Sequence, residues 1–209
     1  MSEVVVKKPL GSLDAGLRNR AATALFPLLV EIQLCCREKI WLGGGTLRDI
    51  LVGSAVSIDS DVDLLFFNER EISEHYEADI EAQLTELTRI RKLSVKNQAR
   101  MGLLVDGVRH ENLYQSVAAF PDVTVAAAAC VHDIRNRSVL VFAPYGIPSR
   151  GRRLIQPTSR YLTAHGLQAY YSWLDRKKYD QRFRDWAIDT AGRVPFGSAS
   201  AFVSINALN

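Results

Sequence analysis

Cysteine is scarce in this chain. Only Cys35, Cys36 and Cys130 occur among 209 residues, an odd number with no CxxC pair and no zinc-ligand spacing. That excludes a disulfide framework and a zinc ribbon, and leaves free thiols in a reducing compartment as the expectation. Charge of one sign is lacking too: 26 Lys and Arg stand against 23 Asp and Glu, a net charge of +3. Bulk electrostatics therefore gives no reason to expect nucleic acid. Long apolar runs are missing. The most apolar stretch, VTVAAAACV (123–131), is about half of the ~20 residues needed to span a bilayer. The opening MSEVVVKKPLGS has no signal-peptide core. The expectation is a cytoplasmic protein with no membrane partner. There is no GxxxxGK[ST] loop, no GxGxxG fingerprint and no GxSxG elbow. The histidines at 75, 110, 132 and 165 have no metal-ligand spacing, and the lone His132-Asp133 dipeptide in a polar turn reads as surface.

What is present suits a packed domain. The sequence is 47% hydrophobic and 23% charged, enough to bury a core. From Ser12, the residues Leu17, Ala21, Leu25, Leu28, Leu29, Ile32 and Cys36 recur at three- and four-residue steps, the pattern of a helix face. KIWLG reads as a short buried strand, TLRDILVG as a short helix ended by Gly53, and DVDLLFF as a strand. Asn68 with Glu71 resembles a capping pair for a helix striped by Ile72, Tyr76, Ile80, Leu84 and Leu87. KLSVKNQARMGLLV (92–105) reads as one or two strands. VTVAAAACV and SVLVFAPYG read as a strand pair about the HDIRNR turn. Residues 160–190 are helical in tendency, interrupted by Gly166, and their aromatics suit a core or a lid-like cap. The tail after them has no strong pattern. The expected fold is α/β (α+β), a mixed β-sheet flanked by helices with a helical C-terminal part. The expected division is a domain at 12–158 with an extension at 159–209 packed on it.

The chemistry concentrates in WLGGGTLRDILVG (41–53) and DSDVDLLFF (59–67). Glycine lets backbone approach a ligand, and the N–H groups of a helix start attract phosphate. Alternation along a strand puts Asp61 and Asp63 on one face, and Asp59 joins them if the strand begins earlier. Two such carboxylates repel unless a cation lies between them. Magnesium binds through one or two carboxylates plus substrate phosphates. The pairing therefore points to metal-assisted phosphoryl or nucleotidyl transfer. Basic residues cluster at Arg150, Arg152, Arg153 and Arg160 and at Arg176, Lys177 and Lys178. Each cluster is either a solvated surface or a phosphate contact.

GGTLRDILVG followed by SDVDLLFF resembles the signature of the polymerase-beta-like nucleotidyltransferase superfamily, close in style to tRNA CCA-adding enzymes. VKNQARM (95–101), YQSVAAFPDVTVAAAACV (114–131) and VFAPYG (141–146) resemble a family of small uncharacterised nucleotidyltransferase-like proteins. The resemblance covers roughly residues 25–160. It implies an active site at the edge of a mixed sheet, with Gly44 and Gly45 approaching the triphosphate of an NTP and Asp61 and Asp63 ligating magnesium. The acceptor hydroxyl would belong to a nucleic acid, a protein or a small molecule. Arg48 stands where the superfamily's GGxxRD block has its arginine, either as a structural partner of a carboxylate or as a substrate contact. Lys96 and Asn97, with Gln98 and Arg100, lie on a segment near the site. They either contact phosphate or base, or satisfy buried backbone.

The pattern also frays. The resemblance implies a third carboxylate one position before Val95, and this chain has Ser94. Asp59, Asp106 and Glu111 are possible stand-ins. Gly102 occupies a position often histidine in the family, and IPSRGRR after APYG departs from the acidic continuation expected there. The alternative to an active enzyme is thus a catalytically inactive nucleotide- or RNA-binding module that retains the fold.

Overall fold

A buried strand of only three residues, Trp41–Gly43 (β1), stands near the middle of the molecule. The structure is a computed structural model describing residues 15–54, 61–90, 92–148, 154–190 and 201–206. On either side β1 pairs antiparallel with Val62–Phe66 (β2) and Ala128–Asp133 (β4). Outside β2 lies Leu93–Asn97 (β3), parallel to it, and outside β4 lies Ser138–Ala143 (β5), antiparallel. Ala201–Asn206 (β8) pairs with β5 and completes a six-stranded mixed sheet of order β3-β2-β1-β4-β5-β8. A second sheet pairs Leu154–Ile155 (β6) in parallel with Ala187–Ile188 (β7).

Alternation along the strands gives the main sheet two apolar faces. Leu42, Leu64, Phe66, Val95, Val141 and Ile205 pack on one face against Ala15–Cys35 (α1), Gly44–Leu51 (α2) and Glu74–Thr88 (α3). In α1 the buried Leu25, Leu29 and Ile32 supply the contact at helical spacing. The fully buried Leu42, Leu64 and Val95 each contribute about 1.5–3 kcal/mol of transfer free energy. On the other face Trp41, Leu65, Cys130 and Phe142 pack against Leu113–Ala118 (α5). Ser159–Arg176 (α6) and Tyr179–Arg182 (α7) carry a third cluster of Ile155, Tyr161, Tyr170, Leu174 and Tyr179. The helical rhythm in this part breaks at Gly166, where φ is +79°.

Several elements differ from the sequence reading. The cap of α3 is Ser73, whose Oγ accepts from Tyr76 N, while Asn68 caps its own turn by accepting from the Arg70 and Glu71 N–H groups. The α3 stripe is buried only at its centre, Ile80 and Leu84, with Ile72 and Leu87 exposed. The KLSVKNQARMGLLV segment is a strand only to Asn97. A short helix, Gln98–Met101 (α4), follows, then a π-helical turn at Gly102–Asp106. The VTVAA half of the expected strand is instead a turn, with Val125 and Ala126 N–H groups donating to the Asp122 carbonyl. The patternless tail supplies β8.

Asn97 explains why the strand stops. Its Nδ2 donates to the carbonyls of Asn68 and Glu71, both at 2.7 Å, and its Oδ1 accepts from the N–H groups of Asn68 and Ala99. The side chain thus ends β3, caps α4 and fastens the loop after β2. Beside it the buried Glu77 accepts from Asn97 N at 2.9 Å and from Arg100 Nε and Nη2 at 2.9 and 2.6 Å. Burial alone would raise the Glu77 carboxyl, but these hydrogen bonds and the Arg100 charge outweigh it and hold it below its ordinary value. Its stabilisation is therefore present above the unfolded value, near 4.5, and is lost as pH falls through the lower folded value. At pH 7, Glu77→Gln should lower unfolding stability by about 3 kcal/mol, as when a buried ion pair loses one partner. Urea titrations from pH 7 down to pH 3 should show the gap to the parent protein narrowing.

Candidate active site

The first helix after the central strand begins without a cap. Gly43 precedes α2 and no side chain there accepts a hydrogen bond, so the first N–H groups of the helix remain open to an anion. Gly44 has φ +65°, and a Cβ at this position would collide with the Asp63 carboxylate. The pairing of Gly43 with Asp63 across β1 and β2 creates that contact. Thr46 fixes the other end of the pair, its Oγ1 donating to the Asp61 carbonyl at 2.6 Å. Asp61 is exposed just before β2, and Asp63 is half-buried within it.

Asp63 is electrostatically unsettled. Burial pushes its carboxyl above the ordinary value, Lys177 opposes that rise, and Asp61 adds to it. Among the described residues no group donates a hydrogen bond to the Asp63 carboxylate. A partly desolvated carboxylate without a donor is unusual in a fold that otherwise satisfies its buried acids.

Both aspartates open into a cleft of about 640 Å³. One side is the glycine turn and the β2–β3 surface, including Lys92 and Lys96. Another is apolar, with Met101, Phe120 and Pro121. The C-terminal helices close it with Tyr161, Trp173, Lys177, Tyr179 and Arg182. Ring contacts run from Tyr161 through Tyr170, Trp173, Tyr179 and Phe183 to Trp186. The C-terminal aromatics are therefore both a core of their own and a wall of the cleft.

Arg48 binds that wall to α2. It is 1% exposed. Its Nη1 donates to Tyr179 Oη at 2.8 Å, its Nε to Asp49 Oδ1 at 2.9 Å, and its guanidinium lies 4.3 Å from the Phe183 ring centroid. Asp49 also faces Arg182 at 3.5 Å. A second tie is Tyr170 Oη donating to the buried Asp122 at 2.6 Å. Burial raises the Asp122 carboxyl despite its bonds to Thr124 and Tyr170.

The structure thus brings Gly44, Gly45, Arg48, Asp61, Asp63 and Lys96 to one cleft. Arg48 touches it with a guanidinium whose Nε and Nη1 are bonded to protein groups and whose Nη2 has no hydrogen-bond partner among the described residues, and Lys96 stands 3.5 Å from Glu77. Asn97 lies apart, buried and saturated by backbone. Sequence reasoning did not single out Lys92, Asp49 or Arg182, and it left Lys177 open between surface and phosphate contact. The basic run at Arg176 to Lys178 was the one signal available. Of the stand-ins for a third carboxylate, Asp59 and the Asp106 side chain lie outside the described residues, and Glu111 is exposed and bonded to Gln115. Ser94 pairs with Asp63 across β2 and β3. The Gly102 departure has a steric reason: a side chain there would strike the His110 ring. Asp133 accepts from Arg135 and Asn136 and serves the β4–β5 turn. Burial pushes the Cys130 thiol up to about 12, so it is inert.

The donor chemistry fits a hard divalent cation. Asp61 and Asp63 offer only carboxylate oxygen, and magnesium takes one or two carboxylates with the remaining positions filled by water and phosphate. Among the described residues no group of three His, Cys, Asp or Glu side chains is placed to hold a metal.

Two substitutions test this geometry. Gly44→Ala combines an unfavourable φ with a collision at Asp63, and should cost about 1–3 kcal/mol of unfolding free energy in urea. Asp63→Asn should do the opposite. Burial disfavours the ionised form, so the charge destabilises the fold above the folded pKa. The variant should therefore melt higher than the parent at pH 7–8, with the difference shrinking as pH falls into the carboxylate range.

No curated protein matches the chain. Among solved structures it is similar to one described as "The NMR structure of the protein reveals a CCA-adding enzyme head domain", with a TM-score of 0.66 and 17% identity over 81% of this chain and 95% of that one. That likeness shows the fold, a mixed sheet flanked by helices. A family model described as nucleotidyltransferase matches residues 35–188, which span the glycine turn, both aspartates, β3 and the C-terminal wall. The chain belongs to this nucleotidyltransferase family.

Proposed function

We propose that the protein transfers a nucleotidyl group from a nucleoside triphosphate to an acceptor oxygen, with magnesium held by Asp61 and Asp63. The observation that carries this reading is the Asp63 carboxylate, half-buried against the bare backbone of Gly44 and given no hydrogen-bond donor among the described residues. A fold keeps such a group unsatisfied where a ligand completes it. The family supports nucleotidyl transfer in general terms, and the uncapped start of α2 beside the two aspartates supports a phosphate-bearing donor.

In this reading the N–H groups at Gly45 and Thr46 face the triphosphate, and Lys177, the cation acting on Asp63, offsets its negative charge. Met101, Phe120 and Trp173 give the base an apolar place. The acceptor oxygen forms a bond to the α-phosphorus, the bond from that phosphorus to the bridging oxygen breaks, and pyrophosphate leaves with the electron pair. When bound, magnesium supplies charge neutralisation on the phosphates and polarises their oxygens. The rest is positioning by the glycine turn and the C-terminal wall. A reducing, cytoplasmic setting fits the three cysteines, all free, and no described helix is long and apolar enough to cross a membrane.

Calorimetry with magnesium and each of the four NTPs tests the reading. The parent should bind at least one of them, and Asp61→Asn/Asp63→Asn should weaken magnesium-dependent binding and slow turnover by more than the ~10–100-fold typical of losing a supporting group at a metal site. Failure of every NTP to bind the parent would refute the proposal. Unchanged binding by the double variant, with no turnover in either protein, would favour a nucleotide-binding module without catalysis.

A further inference from the structure

The β3 side of the cleft is basic among the described residues. β3 is the outermost strand beside β2, and the two run parallel with Asp63 opposite Ser94 and Leu65 opposite Lys96. The Val62 N–H donates to the Lys92 carbonyl just ahead of β3, extending that register. Alternation then places Lys92, Ser94 and Lys96 along the face that carries Asp63 and Leu65. Lys92 and Lys96 both line the cleft with these two residues. Lys92 is exposed and forms no ion pair among the described residues. Lys96 is 38% exposed and 3.5 Å from Glu77 Oε2, whose carboxylate is already occupied by Arg100 and Asn97.

Among the described residues, the carboxylates that line this cleft leave little room for a base. Asp49 is held by Arg48 and Arg182. Asp61 and Asp63 are the proposed magnesium ligands. The position beside Asp63 holds a serine between two lysines. A hydroxyl acceptor must surrender a proton as it attacks, and a carboxylate is the ordinary group to take it. A phosphate acceptor is already an anion and surrenders none. Its charge is also what two lysines on one strand face attract.

We infer that the acceptor is a phosphate monoester, held by Lys92 and Lys96 on β3 and attacking through a phosphate oxygen. The inference rests on the nucleotidyl-transfer reading above and specifies its second substrate. The oxygen of the acceptor phosphate bonds to the α-phosphorus of the NTP, the α–β phosphoanhydride bond breaks, and pyrophosphate departs with the electron pair. No proton changes hands. The product is a new phosphoanhydride between acceptor and nucleotide. Ser94 keeps the space beside Asp63 free of a third negative charge that would repel the incoming phosphate.

The test supplies magnesium and NTP labelled at the α-phosphate, with acceptors in matched pairs: a hexose 1-phosphate against the free hexose, and an oligoribonucleotide ending in a 3′-phosphate against one ending in a 3′-hydroxyl. Orthophosphate is the smallest acceptor, and its product is the labelled nucleoside diphosphate. At least one phosphate acceptor should be labelled tenfold or more faster than its dephosphorylated partner, and the pair that responds distinguishes a sugar phosphate from an RNA end. Lys92→Ala should raise the acceptor KM tenfold or more while changing NTP affinity less than threefold, the latter also showing that the variant is folded. Ser94→Asp should depress labelling of phosphate acceptors at least tenfold and improve that of hydroxyl acceptors. Labelling of hydroxyl acceptors alone, or an acceptor KM unmoved by Lys92→Ala, overturns the inference and leaves nucleotidyl transfer standing. Absence of any labelled product overturns the inference; absence of NTP binding as well overturns the transfer reading with it.

Discussion

A carboxylate pressed against a residue with no side chain is the contact on which this site depends. Gly43 pairs with Asp63 across two antiparallel strands, and the chain leaves β1 through Gly44 at positive φ. Any larger residue at Gly44 would push the carboxylate away or bend the turn. The same turn begins α2 without a cap, so open N–H groups and a desolvated acid come to the same place. The sheet supplies the stiffness. β1 is only three residues long, yet it is buried and paired on both edges, so neither the turn nor Asp63 can shift alone.

Two buried polar ties extend this arrangement to the far end of the chain. Arg48, four residues after Gly44, bonds to Tyr179, and Tyr170 bonds to Asp122. Burying a guanidinium is costly unless it is bonded and stacked, and the tyrosine hydroxyl, the neighbouring aspartate and the Phe183 ring offset part of that cost, while the buried Nη2 has no hydrogen-bond partner among the described residues. Docking of α6 and α7 is thereby linked to the conformation of the glycine turn. The same docking brings Lys177 and Arg182 to the cleft.

Much of this arrangement could be read in the residues. The glycine turn is legible because three glycines between an apolar run and a helix pattern admit few conformations, and the aspartates because strand alternation puts them on one face. The β4–β5 pair is legible through its polar turn. The remainder depends on tertiary contacts. Asn97 left two roles open, a phosphate or base contact and a partner for buried backbone, because its four hydrogen bonds go to backbone that sequence spacing does not place beside it. Asn68 looked like a helix cap, but Ser73 competes from closer to the helix. β8 carries no pattern of its own because its partner β5 is remote in sequence and dictates its pairing. Arg48 left two roles open because nothing near it in sequence announces Tyr179, 131 residues away.

Glu77 and Asp63 show how one residue type serves structure and chemistry in a single fold. Both carboxylates lose water on folding. Glu77 is met by a backbone N–H, two guanidinium nitrogens and a lysine, and its carboxyl falls below the ordinary value. Asp63 is met by a glycine backbone, another aspartate and the field of Lys177, and its carboxyl rises. Fold stability alone would favour a donor or an apolar residue at Asp63. The chain instead keeps an acid there, leaves the adjacent helix start uncapped, and lines the opening with lysines. The free energy withheld from folding at Asp63 is available to a ligand that completes the cleft.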